Sequence, residues 1–493
     1  MIFTSVTFVF FFFTVFFLYW FVFSRNLKLQ NLFLLAASYL FYGWWDWRFL
    51  LLLLFISLSN YQLAIEIQKR EQKSKRKPFF LAGLFINIIT LVIFKYFNFF
   101  ADGFAGILGL FGLKISIITL NIILPLGISF YIFLSMSYLI DAYQNKLKAE
   151  KYLPDVLLAL SFFPIILAGP IHRPVGLLPQ IQSKRIFDPA KASDGLRQIL
   201  WGIFMKVVIA DNCTEYVSLI FRNSSGYGGS TLILGAFLFT VQIYTDFAGY
   251  SNIAIGIGRL LGFNIMQNFG YPYFSRDIRD FWKRWNMSLT TWFRDYSFLP
   301  VAYAVSNRIK SETFYFVKTE FLIYTTGIVL TWSLTGLWHG ANYTFIAWGL
   351  IQGMFLIIYH VSVKPRKKFL KRIGLSNNNR VFVLAETLFT LMVIMFSWIF
   401  FRADDLGHAF RYIAGIFSSS VFSAPEIKPD TILFILILLF FLVEWFGRKQ
   451  QYAIETLGRR WPLLLRWSFY AFLIFLIGMF MSTNESPFIY FKF

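Results

Sequence analysis

The stretch SVTFVFFFFTVFFLYWFVF, residues 5–23, decides the fold class of this chain. It contains no charged side chain and has close to the roughly 20 apolar residues that an α-helix needs to cross about 30 Å of hydrocarbon. Similar runs recur along the 493 residues, of which 57% are hydrophobic and only 14% charged, whereas charged residues are about a quarter of a typical soluble domain. The sequence therefore predicts an all-α polytopic membrane protein.

Twelve apolar segments are predicted to span the bilayer, and together they leave no soluble domain of useful size. No basic residue precedes the first segment and no small-residue cleavage pattern follows it, so we expect a retained helix rather than a signal peptide. We expect a single integral-membrane domain over residues 1–493. The predicted spans are 5–23, 31–43, 49–65, 79–100, 119–140, 199–221, 231–248, 319–337, 341–360, 381–401, 431–447 and 464–482.

The formal charge of +21 reflects basic residues that cluster in short loops between the spans. The strongest clusters are QKREQKSKRK (68–77) and KPRKKFLKR (364–372), and the positive-inside rule places both in the cytoplasm. Counting the spans then predicts that the N-terminus and RNSSGYGGS (222–230) lie outside. The charge thus indicates orientation in the bilayer rather than a nucleic-acid partner.

Two regions do not fit a simple span, because proline and glycine interrupt them: residues 153–174 and the stretch from about Gly249 to Pro300. Irregular backbone at membrane depth is tolerated only where protein or a water-filled cavity surrounds it. We expect both regions to line a cavity and to include re-entrant segments.

A metal site is not expected, because the chain has one cysteine, Cys213, and four scattered histidines. These are His172, His339, His360 and His408, and their separations do not match the spacing of zinc ligands. His360, beside a basic loop, and His408 are expected at the membrane interface.

The segment DFWKRWNMSLTTWFRDYSFLP (280–300) mixes three tryptophans with several charged residues. One interpretation is an interfacial helix, whose tryptophans lie at headgroup depth and whose arginines reach the water. The other is an active-site element that binds an anionic donor from the cytoplasm, since arginine recognises phosphate and tryptophan offers a stacking face. Composition alone favours the interfacial helix.

His339 lies between tryptophan and glycine in the apolar stretch TWSLTGLWHGANY (331–343). A lone histidine of this kind is often a core residue that is hydrogen-bonded to nearby backbone. An ionisable residue inside a membrane is costly, however, and suggests a functional site by default. Similarly, Asp246, Lys206 and Asp211 could form buried ion pairs or an ion path, and we favour structural pairing for Lys206 and Asp211.

Five motifs, in chain order, resemble the membrane-bound O-acyltransferase family, in particular its bacterial branch of alginate O-acetylation and D-alanine transfer. The resemblance covers nearly the whole chain, and the joint occurrence of the motifs is far more specific than any one of them. The motifs are QIYTDFAGYSNIAIG (242–256), DFWKRWNMSLTTWFRDY (280–296), TGLWHGANYTFIAWG (335–349), FSWIFFRA (396–403) and SPFIYFKF (486–493).

The resemblance implies a ring of about eleven or twelve transmembrane helices around a central tunnel, in a bacterial inner membrane. It also implies that His339 is the catalytic histidine, which would act as general base, with Asn286 stabilising an oxyanion. Many members of the bacterial branch have histidine at the position of Asn286, so the asparagine argues against a two-histidine mechanism. We predict that Trp282, Arg284, Trp285, Trp338 and Asp246 bind substrate.

The predicted function is transfer of an acyl group, most simply acetyl, from a cytoplasmic thioester to a hydroxyl outside. The donor would be acetyl coenzyme A or an acyl-carrier protein, with no bound cofactor. The acceptor would be an exported polysaccharide or a serine-hydrolase-like acetyltransferase partner. D-alanine transfer to a cell-wall polymer is the alternative within the family. A transporter of lipid-linked sugar or ions, with Asp246 on its path, is the alternative from another class.

Overall fold

The fold is almost entirely helical, as the sequence predicts. The computed structural model describes residues 1–113, 119–120, 122–372, 374, 376, 379–481 and 488–489. About 75% of the chain is helical. The one sheet in the described part pairs two short antiparallel strands, β1 (Thr313–Phe314) and β2 (Val317–Lys318).

Twenty-one α-helices are described, several of which continue into one another through a short π-helical turn. The π-helical turns are Leu18–Val22, Val92–Tyr96, Phe204–Ala210 and Arg294–Phe298. The α-helices are α1 (Val6–Phe17), α2 (Leu27–Gly43), α3 (Arg48–Gln68), α4 (Lys73–Leu91), α5 (Phe97–Leu110), α6 (Ile128–Tyr143), α7 (Leu153–Ser161), α8 (Phe163–Ile166), α9 (Pro174–Gln182), α10 (Pro189–Ile203), α11 (Asp211–Arg222), α12 (Gly229–Leu260), α13 (Ile278–Arg284), α14 (Met287–Phe293), α15 (Leu299–Arg308), α16 (Thr319–His339), α17 (Tyr343–Arg372), α18 (Arg380–Arg402), α19 (Leu406–Ile416), α20 (Thr431–Gly447) and α21 (Leu463–Phe480).

Seven helices among the described residues are long and apolar enough to cross a membrane, and the chain is a multi-pass membrane protein. Three shorter apolar helices, Val6–Val22, Ile128–Tyr143 and Thr431–Gly447, match further predicted spans. The predicted spans 31–43 and 199–221 fall on helices outside these ten. The seven are Arg48–Gln68, Lys73–Leu110, Gly229–Leu260, Thr319–His339, Tyr343–Arg372, Arg380–Arg402 and Leu463–Phe480.

The predicted span 119–140 is too long at its start, because its helix begins only at Ile128. Gly127 precedes the helix with φ 70°, a left-handed backbone conformation that residues other than glycine rarely adopt. A Cβ atom at Gly127 would also lie 2.5 Å from the carbonyl oxygen of Ile166. Residues 119–120 and 122–127 therefore form a non-helical approach to α6.

The last residue of the predicted span 464–482 lies outside the described residues.

The two regions that resist a simple span assignment are broken, as expected. Residues 153–174 form two short helices, α7 and α8, followed by a non-helical segment that leads to α9. The second region begins later than predicted, since α12 continues without a break from Gly229 to Leu260. After Leu260 the chain forms the short helices α13 and α14, which are buried on one side.

The chain divides into two compact units, the first formed by Met1–Ile199 and Tyr250–Met266. In this unit α3, α4 and α6 pack on one another, and a buried polar cluster lies around Arg185. The Arg185 guanidinium donates to Asn31 and to the Gln30 side chain, and Asn31 donates to the Asp155 carboxylate. These hydrogen bonds give a terminal nitrogen of this buried arginine two polar partners.

The second unit comprises Leu200–Gly249 and Gln267–Phe493, and it contains every predicted site residue. Its most intimate helix pair is α16 and α17, which meet through glycines. A Cβ atom at Gly336 would lie 2.3 Å from the Phe345 carbonyl oxygen, and one at Gly349 would lie 2.2 Å from that of Trp332. The two backbones therefore approach more closely than any larger residue permits.

Candidate active site

His339 is the last residue of α16 and is buried, with 4% of the residue exposed. The helix continues unbroken through Gly336, so this glycine does not break the segment before the histidine. Gly336 instead admits the backbone of α17, and Gly340 admits the ring of Phe345, whose Cε2 atom would lie 2.2 Å from an added Cβ. The glycines around His339 thus position it against α17.

Three aromatic rings surround the His339 imidazole edge-to-face. Ring centroids lie 4.9 Å away at Trp338 and 5.0 Å away at both Trp348 and Phe401. Such rings exclude bulk water from the imidazole and fix its plane. A neutral imidazole held in this way can accept a proton from a bound hydroxyl while water is kept from competing.

The rings around His339 belong to a larger tryptophan cluster that also contains predicted substrate-binding residues. Trp348 stacks on Trp398 at 5.5 Å, and Trp398 lies 5.0 Å from Trp285. Trp282 lies 5.7 Å from Trp348 and donates from its indole Nε1 to Gln352 Oε1 at 3.2 Å. The structure therefore brings Trp282, Trp285 and Trp338 into one cluster with His339.

Sequence reasoning missed four members of this cluster: Trp348, Gln352, Trp398 and Phe401. Trp348 and Gln352 are four residues apart and share one face of α17. That face also carries Phe345 and Gly349, so the spacing of FIAWGLIQ (345–352) contained the signal. Trp398 and Phe401 belong to FSWIFFRA, one of the five motifs that carry the family resemblance.

Asn286 occupies a backbone position that itself explains an asparagine. It separates α13 from α14 with φ 40° and ψ 55°, in the left-handed region, and it is buried. Asparagine and histidine are the non-glycine types enriched there, together with aspartate. Asn286 directly follows Trp285 of the cluster in the chain, and its predicted oxyanion role stays a prediction.

Arg284 lies at the edge of the cluster rather than inside it. Its side chain is 37% exposed and pairs with Asp280, one turn earlier in α13, at 2.9 Å. Trp285, the next residue, is by contrast fully buried between Phe281 and Trp398. Arg284 is therefore the more accessible of the two predicted donor-binding residues, and both roles stay predictions.

Asp246 is buried in an ion-pair cluster with Lys206 and Asp211. The Lys206 ammonium lies 2.7 Å from Asp246 Oδ1 and 2.8 Å from Asp211 Oδ1. The second Asp246 oxygen accepts from the backbone N–H of Ile489 at 2.7 Å, which ties the C-terminal motif to α12. The predicted pairing of Lys206 with Asp211 is thus present, and Asp246 belongs to the same cluster.

A cavity of about 450 Å³ adjoins the end of α16 that carries His339, and we call it the histidine cavity. Phe401, one of its walls, lies 5.0 Å from the His339 imidazole, and Phe345, another wall, lies 4.9 Å from Phe401. Polar side chains line much of the remainder. The lining residues include Thr214, Gln242, Gly340, Asn342, Arg402 and Asp404.

A second cavity, of about 390 Å³, lies further along α17 and α18, and we call it the arginine cavity. Its polar part contains Glu386, whose carboxylate pairs with Arg276 at 2.8 Å and with Arg366 at 2.5 Å. Its apolar part is formed by phenylalanine, isoleucine, valine and alanine side chains. The lining residues include Asp277, Phe355, Tyr359, Phe382, Phe389 and Thr390.

The other histidines lie elsewhere and have their own partners. His172, in the first unit, accepts from the Met266 backbone N–H at 3.1 Å. His360 stacks on Tyr324 at 4.4 Å, while His408, expected at the interface, is buried and lies 3.1 Å from the Ser224 hydroxyl. Among the residues described, no group of three histidine, cysteine or acidic side chains could hold a metal ion.

The sequence is similar to that of several known bacterial proteins over most or all of its length. The probable alginate O-acetylase of Pseudomonas putida is 32% identical over 514 residues, which cover 100% of both chains. The peptidoglycan O-acetyltransferase of Helicobacter pylori is 30% identical over 84% of this chain and 80% of its own. The teichoic acid D-alanyltransferase of Bacillus subtilis is 28% identical over 58% of this chain and 71% of its own.

No family model matches the chain. The full-length similarity nevertheless establishes the family, since identity above 30% over a whole membrane chain does not arise from shared apolar composition alone. The chain belongs to the membrane-bound O-acyltransferase family and is an acyltransferase.

Proposed function

We propose that this protein transfers an acetyl group from a cytoplasmic thioester to a hydroxyl of an exported polysaccharide. Relatives named as O-acetylases or O-acetyltransferases match it at 30–34% identity over 84–100% of the chain. The D-alanyltransferase of Bacillus subtilis matches at 28% over 58%. The difference favours acetyl over D-alanyl as the transferred group.

The observation that carries this proposal is the placement of His339, which is buried among aromatic rings beside a cavity with polar walls. In the proposed reaction the imidazole accepts the proton of the acceptor hydroxyl as its oxygen attacks the thioester carbonyl carbon. The carbon–sulfur bond of the resulting tetrahedral intermediate then breaks. The proton passes from His339 to the departing thiolate, so the products are the ester and a free thiol.

The two cavities suit entry of the two substrates from opposite sides. The histidine cavity is lined in part by α11, which leads into residues 222–230, and these are predicted to lie outside. The arginine cavity includes Arg366, from the basic run 364–372 that is predicted to be cytoplasmic. In this proposal the acceptor reaches His339 through the histidine cavity and the donor enters near the arginine cavity.

The arginine cavity has groups that suit a thioester carried on phosphopantetheine. The guanidinium groups of Arg276 and Arg366 can bind phosphate oxygens, and Arg284, nearby in sequence on α13, is partly exposed. The phenylalanine walls suit the uncharged arm. Either acetyl coenzyme A or an acyl-carrier protein could supply that arm. The acceptor hydroxyl would belong to a polysaccharide or to a serine-hydrolase-like partner that completes the transfer.

The reaction is testable with inside-out membrane vesicles that contain the protein. Supplied with radiolabelled acetyl coenzyme A or acetyl-acyl-carrier protein on their outer face, they should transfer label to an oligosaccharide enclosed inside, such as an alginate fragment. Vesicles without the protein are the control. Free uptake of intact thioester, or transport of the sugar without acetylation, would contradict the proposal in favour of a transporter.

Orientation in an inner membrane forms part of the proposal, with the N-terminus and residues 222–230 outside. A cysteine at Ser225, in a variant whose Cys213 is replaced by serine, should react with a membrane-impermeant maleimide on intact spheroplasts. A cysteine at Lys367 should react only after permeabilisation. The opposite labelling pattern would reverse the assignment of both cavities.

A further inference from the structure

Gln352 and Trp348 lie on the inner face of α17, and both side chains are completely buried. Trp348 packs against the His339 imidazole at 5.0 Å, with the two rings nearly perpendicular at 89°. Gln352 follows one turn later, where its Oε1 atom accepts from the Trp282 indole. Trp348 therefore contacts His339 directly, and Gln352 belongs to the same cluster through Trp282.

Each of these side chains has a buried donor without a protein partner. Neither Trp348 Nε1 nor Gln352 Nε2 has a hydrogen-bond partner among the residues that the structure describes. Because a buried unpaired donor is destabilising, apolar residues of similar volume would suit a purely structural role better. Two such donors one helical turn apart indicate a site that binds an oxygen acceptor.

The placement of the two donors identifies the acceptor by its chemistry. The histidine cavity reaches α17 at Phe345 and the arginine cavity reaches it at Phe355. These positions are about 15 Å apart along the helix at 1.5 Å per residue, and Trp348 and Gln352 lie between them. The Gln352 Oε1 atom is already occupied by Trp282, so what the two side chains have left to offer is an indole N–H and an amide N–H. Two N–H donors suit a carbonyl oxygen or a developing oxyanion rather than a cation.

We propose that Gln352 Nε2 and Trp348 Nε1 donate hydrogen bonds to the carbonyl oxygen of the acyl thioester, and that these bonds strengthen as the carbonyl becomes the oxyanion. This inference rests on the proposed function. In the attack step the carbonyl π electrons move onto that oxygen, while His339 accepts the hydroxyl proton. When the oxyanion collapses, the electrons return, the carbon–sulfur bond breaks and the thiolate leaves with the proton from His339.

The test compares Gln352→Met and Trp348→Phe with the parent protein in the vesicle assay. Methionine keeps the length of the side chain without its amide, and phenylalanine keeps a ring without the indole N–H. The kcat of acetyl transfer should fall by roughly 10²–10³-fold in Gln352→Met, the typical loss on removing one oxyanion donor, and should fall in Trp348→Phe as well. The KM for the acceptor should change little.

Matched controls are Gln198→Met and Trp201→Phe, which change equally buried residues outside the cluster. Both should keep the parent kcat. A binding measurement makes the test independent of turnover: with His339→Gln as the background, the infrared stretch of a ¹³C-labelled thioester carbonyl should lie at lower frequency than when Gln352→Met is added. Because the carbonyl frequency is measured on bound thioester without turnover, it tests the hydrogen bond to the carbonyl oxygen even where a variant gives no usable kcat.

The outcomes separate the two proposals. If the parent protein transfers acetyl and both variants keep its kcat and carbonyl frequency, the two donors have only a structural or solvent partner and this inference is wrong. If the parent protein transfers no acetyl from either thioester, the proposed function itself fails, and the inference fails with it.

Discussion

Replacing His339 by glutamine should reduce acyl transfer by roughly 10²–10⁴-fold, the range typical for loss of a general acid–base group. Glutamine can keep a hydrogen bond and much of the side-chain volume, but it cannot accept a proton at neutral pH. His339→Ala should lose at least as much activity. The measurement is kcat for acetyl transfer in membrane vesicles, together with the amount of inserted protein and its melting temperature in detergent.

His360→Gln is the matched control for His339, because it removes another imidazole of the same unit, one that is exposed and stacked on Tyr324. Its activity should equal that of the parent protein. Near-full acyl transfer by well-folded His339→Gln would contradict a catalytic role. Loss of stable protein in both His339 variants would instead mean that the imidazole mainly fills the space between Trp338, Trp348 and Phe401.

The helical spans were predictable because length and apolarity alone determine them in a bilayer. Eleven of the twelve predicted spans start within a few residues of a helix or inside one, and the exception, 119–140, fails at Pro125 and Gly127. The apolar run has already begun there, but the described backbone before Ile128 is not helical. Hydropathy is insensitive to that change, and only the turn residues indicate it.

Tertiary neighbours of the site were less predictable than its motifs. The family motifs contain His339, Trp282 and Trp285, but nothing in a single sequence measures the distance between α13, α17 and α18. Trp398 therefore appeared only in the structure as the ring that joins Trp285 to Trp348. The left-handed backbone of Asn286 was likewise hidden, because asparagine is common in many settings.

Lys206→Met should destabilise the protein strongly, by about 3–5 kcal/mol, because it leaves the buried Asp246 and the partly exposed Asp211 without their cation. The Lys206 and Asp246 side chains are 7% and 3% exposed, so water cannot take over the role of the ammonium. The measurement is thermal unfolding of purified protein in detergent. Lys69→Met is the matched control, since Lys69 is 64% exposed and pairs with Glu66 at the surface, and its melting temperature should stay that of the parent.

Combining Lys206→Met with Asp246→Asn should recover more than half of the lost stability, because the asparagine carbonyl still accepts from Ile489 and no charge is left unpaired at that position. Acyl transfer should recover together with stability. Both Asp246 oxygens already have protein partners, Lys206 and the backbone N–H of Ile489. Asp246 therefore holds these two residues in place. Ile489 and Gln242 form part of the wall of the histidine cavity. A stable double variant without activity would show instead that the Asp246 carboxylate contacts the acceptor, as the sequence alone suggests. A Lys206→Met protein as stable as its parent would contradict the structural role of the ion-pair cluster.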